Sequence, residues 1–214
     1  MPPSPRPPDA ARPPLRKDAE RSRQRILAVA ATLMAEHGVD VGYDAIARAA
    51  GVGAGTVYRR FPERVDLVSA LFRDRAELAV DALAEALRIE DPWQALSWLC
   101  ERMALQWIDD RGLQQALFRS EYADLMVEDR DRIAHLADQV LGRAQAVGAA
   151  RADLATTDLA LLIHFASRVG SERPDVARRY VALVLDSVRA RPDAEPLPGR
   201  APTLRDFETI AASM

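Results

Sequence analysis

The spacing of the helix-breaking residues is the feature that most constrains this fold. Between residues 18 and 190 of the 214-residue chain, proline occurs only at positions 62, 92 and 174, each where a new apolar repeat of helical period begins. Proline is tolerated in the first turn of a helix because its missing N–H would have no partner there. Glycines also fall between the periodic stretches, and no segment alternates like a strand. The pattern predicts an all-α protein.

The same periodicity divides the chain into segments. Helices are expected over about 18–37, 44–50, 54–60, from Pro62 to near Leu87, and over about 92–109, 112–126, 128–147, 157–169 and 174–190. The predicted domains are a basic, Pro-rich disordered arm (1–17), a three-helix head (18–64), a helical body (65–190) and a Pro-rich tail (191–214). Within the tail, Thr203 is expected to cap a short helix.

Charge is distributed unevenly between the two ends of the chain. Residues 1–64 hold 11 Lys and Arg against 7 Asp and Glu, whereas the remaining 150 hold 18 against 25. A basic head on an acidic body suits a protein that places one end on nucleic-acid phosphates. Cys100 is the only cysteine, and the chain has neither an 18-residue apolar run nor a signal-peptide pattern. We therefore expect a cytoplasmic protein with no membrane partner and no thiolate metal cluster.

The most informative segment runs from Ile46 to Phe61. It contains two short predicted helices joined by Gly51-Val52-Gly53, a turn in which glycine permits a positive φ. Val57 and Phe61, four residues apart, are expected to point inwards, which leaves four side chains outside: Thr56, Tyr58, Arg59 and Arg60. A hydroxyl, a phenol and two guanidinium groups on one short helix are suitable donors to phosphates and base edges. The segment therefore predicts a helix-turn-helix.

Residues 22–72 contain a series of short motifs at a characteristic spacing. They are Arg25-Ile-Leu, Ala31, Glu36-His-Gly38, Ile46-Ala, Ala50-Gly-Val52, Gly55-Thr-Val-Tyr58 and Phe61-Pro-Glu-Arg64. This series resembles the DNA-binding head of the tetracycline-repressor (TetR) family. The resemblance implies that Thr56 and Tyr58 contact DNA and that Arg64 meets a phosphate. With Gly55, Arg59 and Arg60, these residues form the predicted DNA-binding set.

Two departures from the family pattern remove expected phosphate donors. Ala54 stands where a lysine is common, and Gly42-Tyr43 stands where helix two often begins with Ser or Thr. Arg59, Arg60 and the basic arm are candidates to compensate. Beyond about residue 75 the resemblance weakens, although Arg178–Asp186 still resembles the last helix of some members.

The resemblance also implies an effector cavity between the body helices and pairing of the last two long helices with a second copy. The expected pocket residues are Met103, Trp107, Phe118, Tyr122 and His135. The helices at 157–169 and 174–190 carry more apolar residues than one buried face needs, which independently predicts a homodimer. The expected interface residues are Leu161, Phe165, Tyr180 and Leu183.

The leading hypothesis is a repressor that a small-molecule effector releases from a palindromic double-stranded DNA operator. An activator with the same head and a small-molecule-binding protein with a vestigial head are the alternatives. His37, His135 and His164 stand alone, no Ser or Cys lies in a nucleophile elbow, and the glycines of 51–55 follow a predicted helix instead of a strand. We therefore expect neither catalysis, a bound metal nor a cofactor.

Overall fold

The described part of the chain is built from helices packed on helices. The computed structural model describes residues 14–38, 40–109 and 127–213, and no β-strand occurs within these ranges. The helices are α1 (Pro14–His37), α2 (Tyr43–Ala50), α3 (Ala54–Arg60), α4 (Arg64–Arg88), α5 (Pro92–Asp109), α6 (Val127–Ala146), α7 (Thr156–Glu172), α8 (Pro174–Val188) and α9 (Leu204–Ser213). The predicted all-α class, with a helix-turn-helix head and a helical body, is confirmed.

The helix ends lie close to the positions predicted from proline and glycine, except that α1 begins earlier than predicted. Helix α1 begins at Pro14, four residues before the predicted start, so residues 14–17 of the predicted arm are helical. Pro92 and Pro174 each open a helix, and the N–H of Gln94 donates to the Asp91 carboxylate at 2.7 Å as an N-terminal cap. The predicted helix at 112–126 lies outside the described residues.

The head has its own hydrophobic core. Helices α1, α2 and α3 pack with the first half of α4 around buried Ile26, Met34, Ile46 and Val57. Helix α4 contributes Phe72, which is also fully buried. These apolar contacts fix the angle between α2 and α3, because neither helix is long enough to be stable alone.

Helix α4 belongs to two cores. Its first half packs in the head through residues up to Ala76, whereas Ala82, Leu83 and Ala86 pack in the body core with α5, α6, α7 and α8. The predicted domain boundary after residue 64 therefore falls at the first turn of α4. A continuous helix shared by both cores couples the orientation of the head to the packing of the body.

Arg143 on α6 joins the end of α4 to the body. Its guanidinium group donates to the backbone carbonyls of Leu87 (2.9 Å), Ile89 (2.8 Å) and Glu90 (3.0 Å). The last carbonyls of a helix have no partner within the helix, so this side chain satisfies groups that otherwise need water. None of the helices described here is both long and apolar enough to cross a membrane.

The Pro-rich tail is attached to the body along its length. The Arg151 guanidinium donates to the carbonyl of Glu195 (2.7 Å), and the Asp153 carboxylate accepts from the N–H of Leu197 (2.7 Å). The Thr157 hydroxyl donates to the Pro202 carbonyl (2.6 Å), after which α9 begins. Thr203 does cap this helix, because its hydroxyl accepts from the N–H of Asp206 (3.2 Å).

Candidate nucleic-acid interface

The turn between α2 and α3 has the geometry that the glycine spacing predicts. Gly51 adopts the left-handed conformation (φ 65°, ψ 36°) directly after α2. Its N–H donates to the Arg48 carbonyl (3.3 Å), and the N–H of Val52 donates to the Ala47 carbonyl (3.0 Å). This pair of hydrogen bonds ends the helix sharply, and glycine avoids the strain that a side chain would cause at that φ. Val52 then packs, partly buried, against the head core.

Helix α3 has one buried face and one open face. Val57 and Phe61 are buried, as predicted, and direct the helix onto the head core. With about 100° of rotation per residue, Arg59 lies opposite that buried face, while Tyr58 and Arg60 lie on its two flanks. Tyr58 and Arg59 are exposed, and Arg60 is half-buried. The open face therefore presents the Arg59 guanidinium between the Tyr58 phenol and the Arg60 guanidinium, a set of donors suited to phosphates.

Gly55 and Thr56 lie in the first turn of α3. A Cβ added at Gly55 would meet no atom of this chain within 4 Å, so nothing in the described structure requires glycine there. The half-buried Thr56 accepts a hydrogen bond on its hydroxyl from Arg59 Nη2 at 3.3 Å. This long contact within one helix turn keeps the Arg59 side chain on the open face.

Tyr43 links two of the predicted DNA-contacting side chains. Its buried ring lies edge-on to the ring of Tyr58, with centroids 4.9 Å apart and planes at 61°. The guanidinium carbon of Arg64 lies 5.1 Å from the centroid of the same ring, a cation–π distance. The Tyr43 hydroxyl donates to the carbonyl of Glu63 at 2.8 Å. Burial raises the pKa of Tyr43, so the phenol stays neutral and remains a donor.

Arg64, the first residue of α4, has no anionic partner in the described part of the chain. Its Nη1 is buried without a hydrogen-bond acceptor. The Asp66 carboxylate, two residues further on, instead accepts from the N–H of Glu63 at 3.0 Å. A partly buried guanidinium group without an acceptor costs free energy, and an incoming anion would offset that cost.

The predicted effector residues are only partly brought together. Trp107 is half-buried, and its ring lies 5.6 Å from His164, a residue outside the predicted pocket set. Met103 packs partly buried against the same body core. His135 is exposed on α6, where its Nε2 pairs with the Gln139 amide at 2.9 Å. The structure therefore does not bring His135 to Trp107. Phe118 and Tyr122 lie outside the described residues.

The tail completes the aromatic cluster around His164. Phe207 of α9 lies 6.4 Å from both Trp107 and His164, measured between ring centroids. His164 is only 2% exposed, and burial, with a smaller effect from Arg168, lowers its pKa to about 4. The imidazole is therefore neutral near pH 7. The apolar residues next to His164 in the sequence, Leu162, Ile163 and Phe165, were the available signal for its burial, and nothing in the sequence indicated Phe207.

The predicted dimer residues divide into two groups. Phe165, Tyr180 and Leu183 are 47%, 42% and 52% exposed on α7 and α8, although all three are large and apolar. Leu161 is instead buried within the single chain, which leaves little of its side chain for a partner to cover, and its assignment to the interface stays a prediction. Leu161 and Phe165 are four residues apart and therefore lie on the same side of α7, but packing against the body buries Leu161 and leaves Phe165 exposed.

The described side chains show no metal-binding arrangement. No group of three or more His, Cys, Asp or Glu residues within the described ranges is close enough to hold a metal ion. Cys100 is fully buried, and burial raises the pKa of its thiol to about 12. A thiol with that pKa is protonated at neutral pH and is therefore a poor nucleophile.

Comparison with known proteins covers both parts of the chain. Residues 26–71 match a family model described as "Bacterial regulatory proteins, tetR family". Residues 91–190 match one described as "Transcriptional regulator SbtR-like, C-terminal domain". Among curated proteins, an HTH-type transcriptional regulator of Staphylococcus aureus (strain USA300) is 44% identical over 54 residues. That match spans 25% of this chain and 29% of the relative.

Solved structures extend the similarity over most of the chain. A regulator structure from Saccharomonospora viridis in complex with choline shares the fold at 22% identity and a TM-score of 0.66, over 80% of this chain and 100% of its own. The TetR transcriptional regulator of Streptomyces coelicolor is 31% identical (TM-score 0.61), over 78% of this chain and 98% of its own. The TetR transcription regulatory protein of Mycobacterium vanbaalenii is 34% identical (TM-score 0.63), over 83% of this chain and 100% of its own. The described helix-turn-helix and these matches together show that the chain belongs to the TetR family of transcriptional regulators.

Proposed function

We propose that this protein is a repressor that binds a palindromic operator as a homodimer and is released by a small-molecule effector. The observation that carries the proposal is the open face of α3 beside Arg64. Tyr58 and Arg59 are exposed there, and the Arg64 guanidinium group has no acceptor in the described part of the chain. A surface with unused donors on a helix-turn-helix fits the major groove and its flanking phosphates.

The intact geometry of the head argues against a vestigial function. The left-handed Gly51, the buried Val57 and Phe61, and the shared α4 hold the open face rigidly relative to the body. An unpaired guanidinium group destabilises the free protein slightly, so its retention is most simply explained by an external anion. Ala54 and Gly42 remove donors at the family's usual positions, and Arg59, Arg60 and Arg64 supply others.

The exposed face of α7 and α8 supports a dimer. Phe165, Tyr180 and Leu183 form an exposed apolar group on two helices that already bury another face in the body. A two-fold partner would cover this group with its own copy, as expected for an isologous contact. Two heads carried in this way would reach successive major grooves about 34–36 Å apart.

Release by an effector requires two body states with different affinities for the ligand. Helix α4 connects these states to the head because it packs in both cores. The neighbour from Saccharomonospora viridis is in complex with choline, which supports a small-molecule site in a protein of this fold. The identity of the effector of the present protein is a separate question, and the aromatic cluster of Trp107, His164 and Phe207 is our candidate wall for its site.

The DNA contacts are tested by titrating the DNA that flanks the protein's own gene at several salt concentrations. We expect Tyr58→Phe or Thr56→Ala to weaken operator binding by about 1–3 kcal/mol. Arg64→Ala should also reduce the salt slope by about one. Arg88→Ala is the matched control, because Arg88 ends the same helix about 36 Å from Arg64. Equal affinities and slopes for all four variants and the wild type would contradict the proposed interface.

The dimer is tested by light scattering at micromolar concentration. Leu183→Asp or Phe165→Asp should give monomers and weaken operator binding, because each head would then engage its half-site alone. Leu105→Asp is the control, since Leu105 is also 52% exposed but lies on α5. A wild-type monomer with full operator affinity would contradict the proposed mode of binding.

The direction of regulation is tested by deleting the gene and measuring transcripts of its neighbours. A repressor raises them on deletion, whereas the alternative, an activator with the same head, lowers them. Unchanged transcripts together with absent operator binding would favour the other alternative, a small-molecule-binding protein with a vestigial head.

A further inference from the structure

The ring of Tyr43 lies between Tyr58 and Arg64, which come from two different helices. It contacts the edge of the Tyr58 ring at 4.9 Å between centroids and the Arg64 guanidinium at 5.1 Å. Tyr43 is itself buried and is the first residue of α2. One side chain therefore connects the starts of α2 and α4 with the outer flank of α3.

The hydroxyl of Tyr43 is already used inside the protein. It donates to the carbonyl of Glu63, the residue immediately before α4. The phenol's raised pKa keeps that donor protonated throughout the neutral range. A buried hydroxyl engaged in this way is a poor candidate for a phosphate contact, so Tyr43 does not replace the Ser or Thr donor expected at the start of α2.

The two neighbours of Tyr43 gain little else from the protein to hold them in place. Tyr58 is 53% exposed, and its hydroxyl has no partner in the described structure. Arg64 has no ion pair or hydrogen bond there: its buried Nη1 lacks an acceptor, and its guanidinium carbon lies 5.1 Å from the centroid of the Tyr43 ring. Arginine loses substantial side-chain entropy when it is immobilised on binding, so ordering these groups beforehand lowers the cost of binding.

We infer that Tyr43 is a positioning residue for operator recognition. It holds Tyr58 and Arg64 in their DNA-binding orientations through its ring and fixes the start of α4 through its hydroxyl, without contacting DNA itself. This inference rests on the proposed function, because it requires that Tyr58 and Arg64 meet the operator. A purely structural Tyr43 would fill space in the head, and any apolar side chain of similar volume would then replace it.

The test is a double-mutant cycle on operator affinity, with Tyr43→Leu combined in turn with Arg64→Ala and Tyr58→Phe. Leucine keeps an apolar side chain but removes the aromatic ring and the hydroxyl. We expect Tyr43→Leu to weaken operator binding about tenfold, and the effect of Arg64→Ala to shrink at least threefold in the Tyr43→Leu background. The salt slope of Tyr43→Leu should move toward that of Arg64→Ala.

Tyr43→Phe provides the second variant, because it keeps the ring and volume and removes only the bond to Glu63. It should weaken operator binding only about threefold. Arg64→Ala should have its full effect on affinity in the Tyr43→Phe background, because the ring that positions Arg64 is still present. This variant remains informative if Tyr43→Leu fails to fold. Circular dichroism and light scattering on each variant separate loss of the fold or of the dimer from loss of positioning.

Two outcomes overturn the inference and are distinguishable from each other. If Arg64→Ala and Tyr58→Phe each weaken binding but combine additively with Tyr43→Leu, or lose their effect in the Tyr43→Phe background, the DNA contacts stand and the positioning role fails. If Arg64→Ala and Tyr58→Phe leave affinity and salt slope unchanged, the proposed DNA contacts fail and the positioning role fails with them.

Discussion

Replacing Arg143 by alanine removes the side chain that ties the end of α4 to α6. The guanidinium group donates to three carbonyls, at 2.9, 2.8 and 3.0 Å, of which the Glu90 carbonyl is exposed and can exchange the protein donor for water. The carbonyls of Leu87 and Ile89 are partly buried, and each loses a charge-assisted hydrogen bond worth about 1 kcal/mol net. We therefore expect Arg143→Ala to lower the free energy of unfolding by about 2 kcal/mol.

For a chain of this size, that loss corresponds to a Tm decrease of roughly 4–8 °C. The assay is urea unfolding followed by circular dichroism at one fixed protein concentration, because dimerisation makes stability concentration-dependent. Arg143→Lys should recover only part of the loss, since a single ammonium cannot match the fork that spans three carbonyls. Arg132→Ala is the control, because Arg132 is exposed on the same helix.

An Arg143→Ala variant no less stable than Arg132→Ala would contradict the proposed role of this side chain. Water would then replace the three hydrogen bonds of Arg143 without any loss in the free energy of unfolding, and Arg143 would not fix the end of α4. If stability falls as expected, effector-free operator affinity should also fall, because α4 carries the head.

Three further predictions concern the body. Because burial lowers the pKa of His164 to about 4, the unfolded chain takes up a proton between pH 6.5 and 4 that the folded state excludes. The stability contributed by the neutral imidazole is therefore full above about pH 6.5 and falls as the pH drops. In urea unfolding, the wild type should lose about 2 kcal/mol more than His164→Gln between pH 7.5 and 5. Phe207→Ala should lower the free energy of unfolding by about 1–2 kcal/mol, since Phe207 is half-buried against Trp107 and His164. Leu204→Ala is the control and should change the free energy of unfolding little, because Leu204 is exposed on the same helix. Equal effects of the two substitutions would show that α9 is not docked through Phe207. The buried Cys100 thiol, with its pKa near 12, should not react with a thiol reagent at pH 8 until urea unfolds the protein; stoichiometric labelling of the folded protein would contradict its burial.

The sequence determined the features that depend on neighbouring residues along the chain. Helix α3 was predicted over 54–60 and is observed as Ala54–Arg60, because Gly53 before it and Pro62 after it limit the backbone locally. The left-handed Gly51 and the inward Val57 and Phe61 follow from the same local rules, since glycine relieves strain and residues four apart share a helix face.

The tertiary structure decided which side chains meet. Sequence periodicity indicates that a helix has an apolar face, but the crossing of helices distant in the chain decides what that face contacts. For this reason Leu161 is buried whereas Phe165 is exposed, and His164 rather than His135 lies beside Trp107.

The contacts of the tail and of the candidate DNA-binding surface also could not be predicted from the sequence. The tail was expected only as a Pro-rich extension with a short helix, yet Phe207 docks on the body because Arg151, Asp153 and Thr157 bind the backbone that leads to it. On the DNA-binding surface, the sequence analysis interpreted Gly42-Tyr43 only as the absence of the Ser or Thr phosphate donor that is common in the family. The fold instead brings α2 against α3 and α4, so that the Tyr43 ring lies between Tyr58 and Arg64, and proximity through space gives that residue its place in the site.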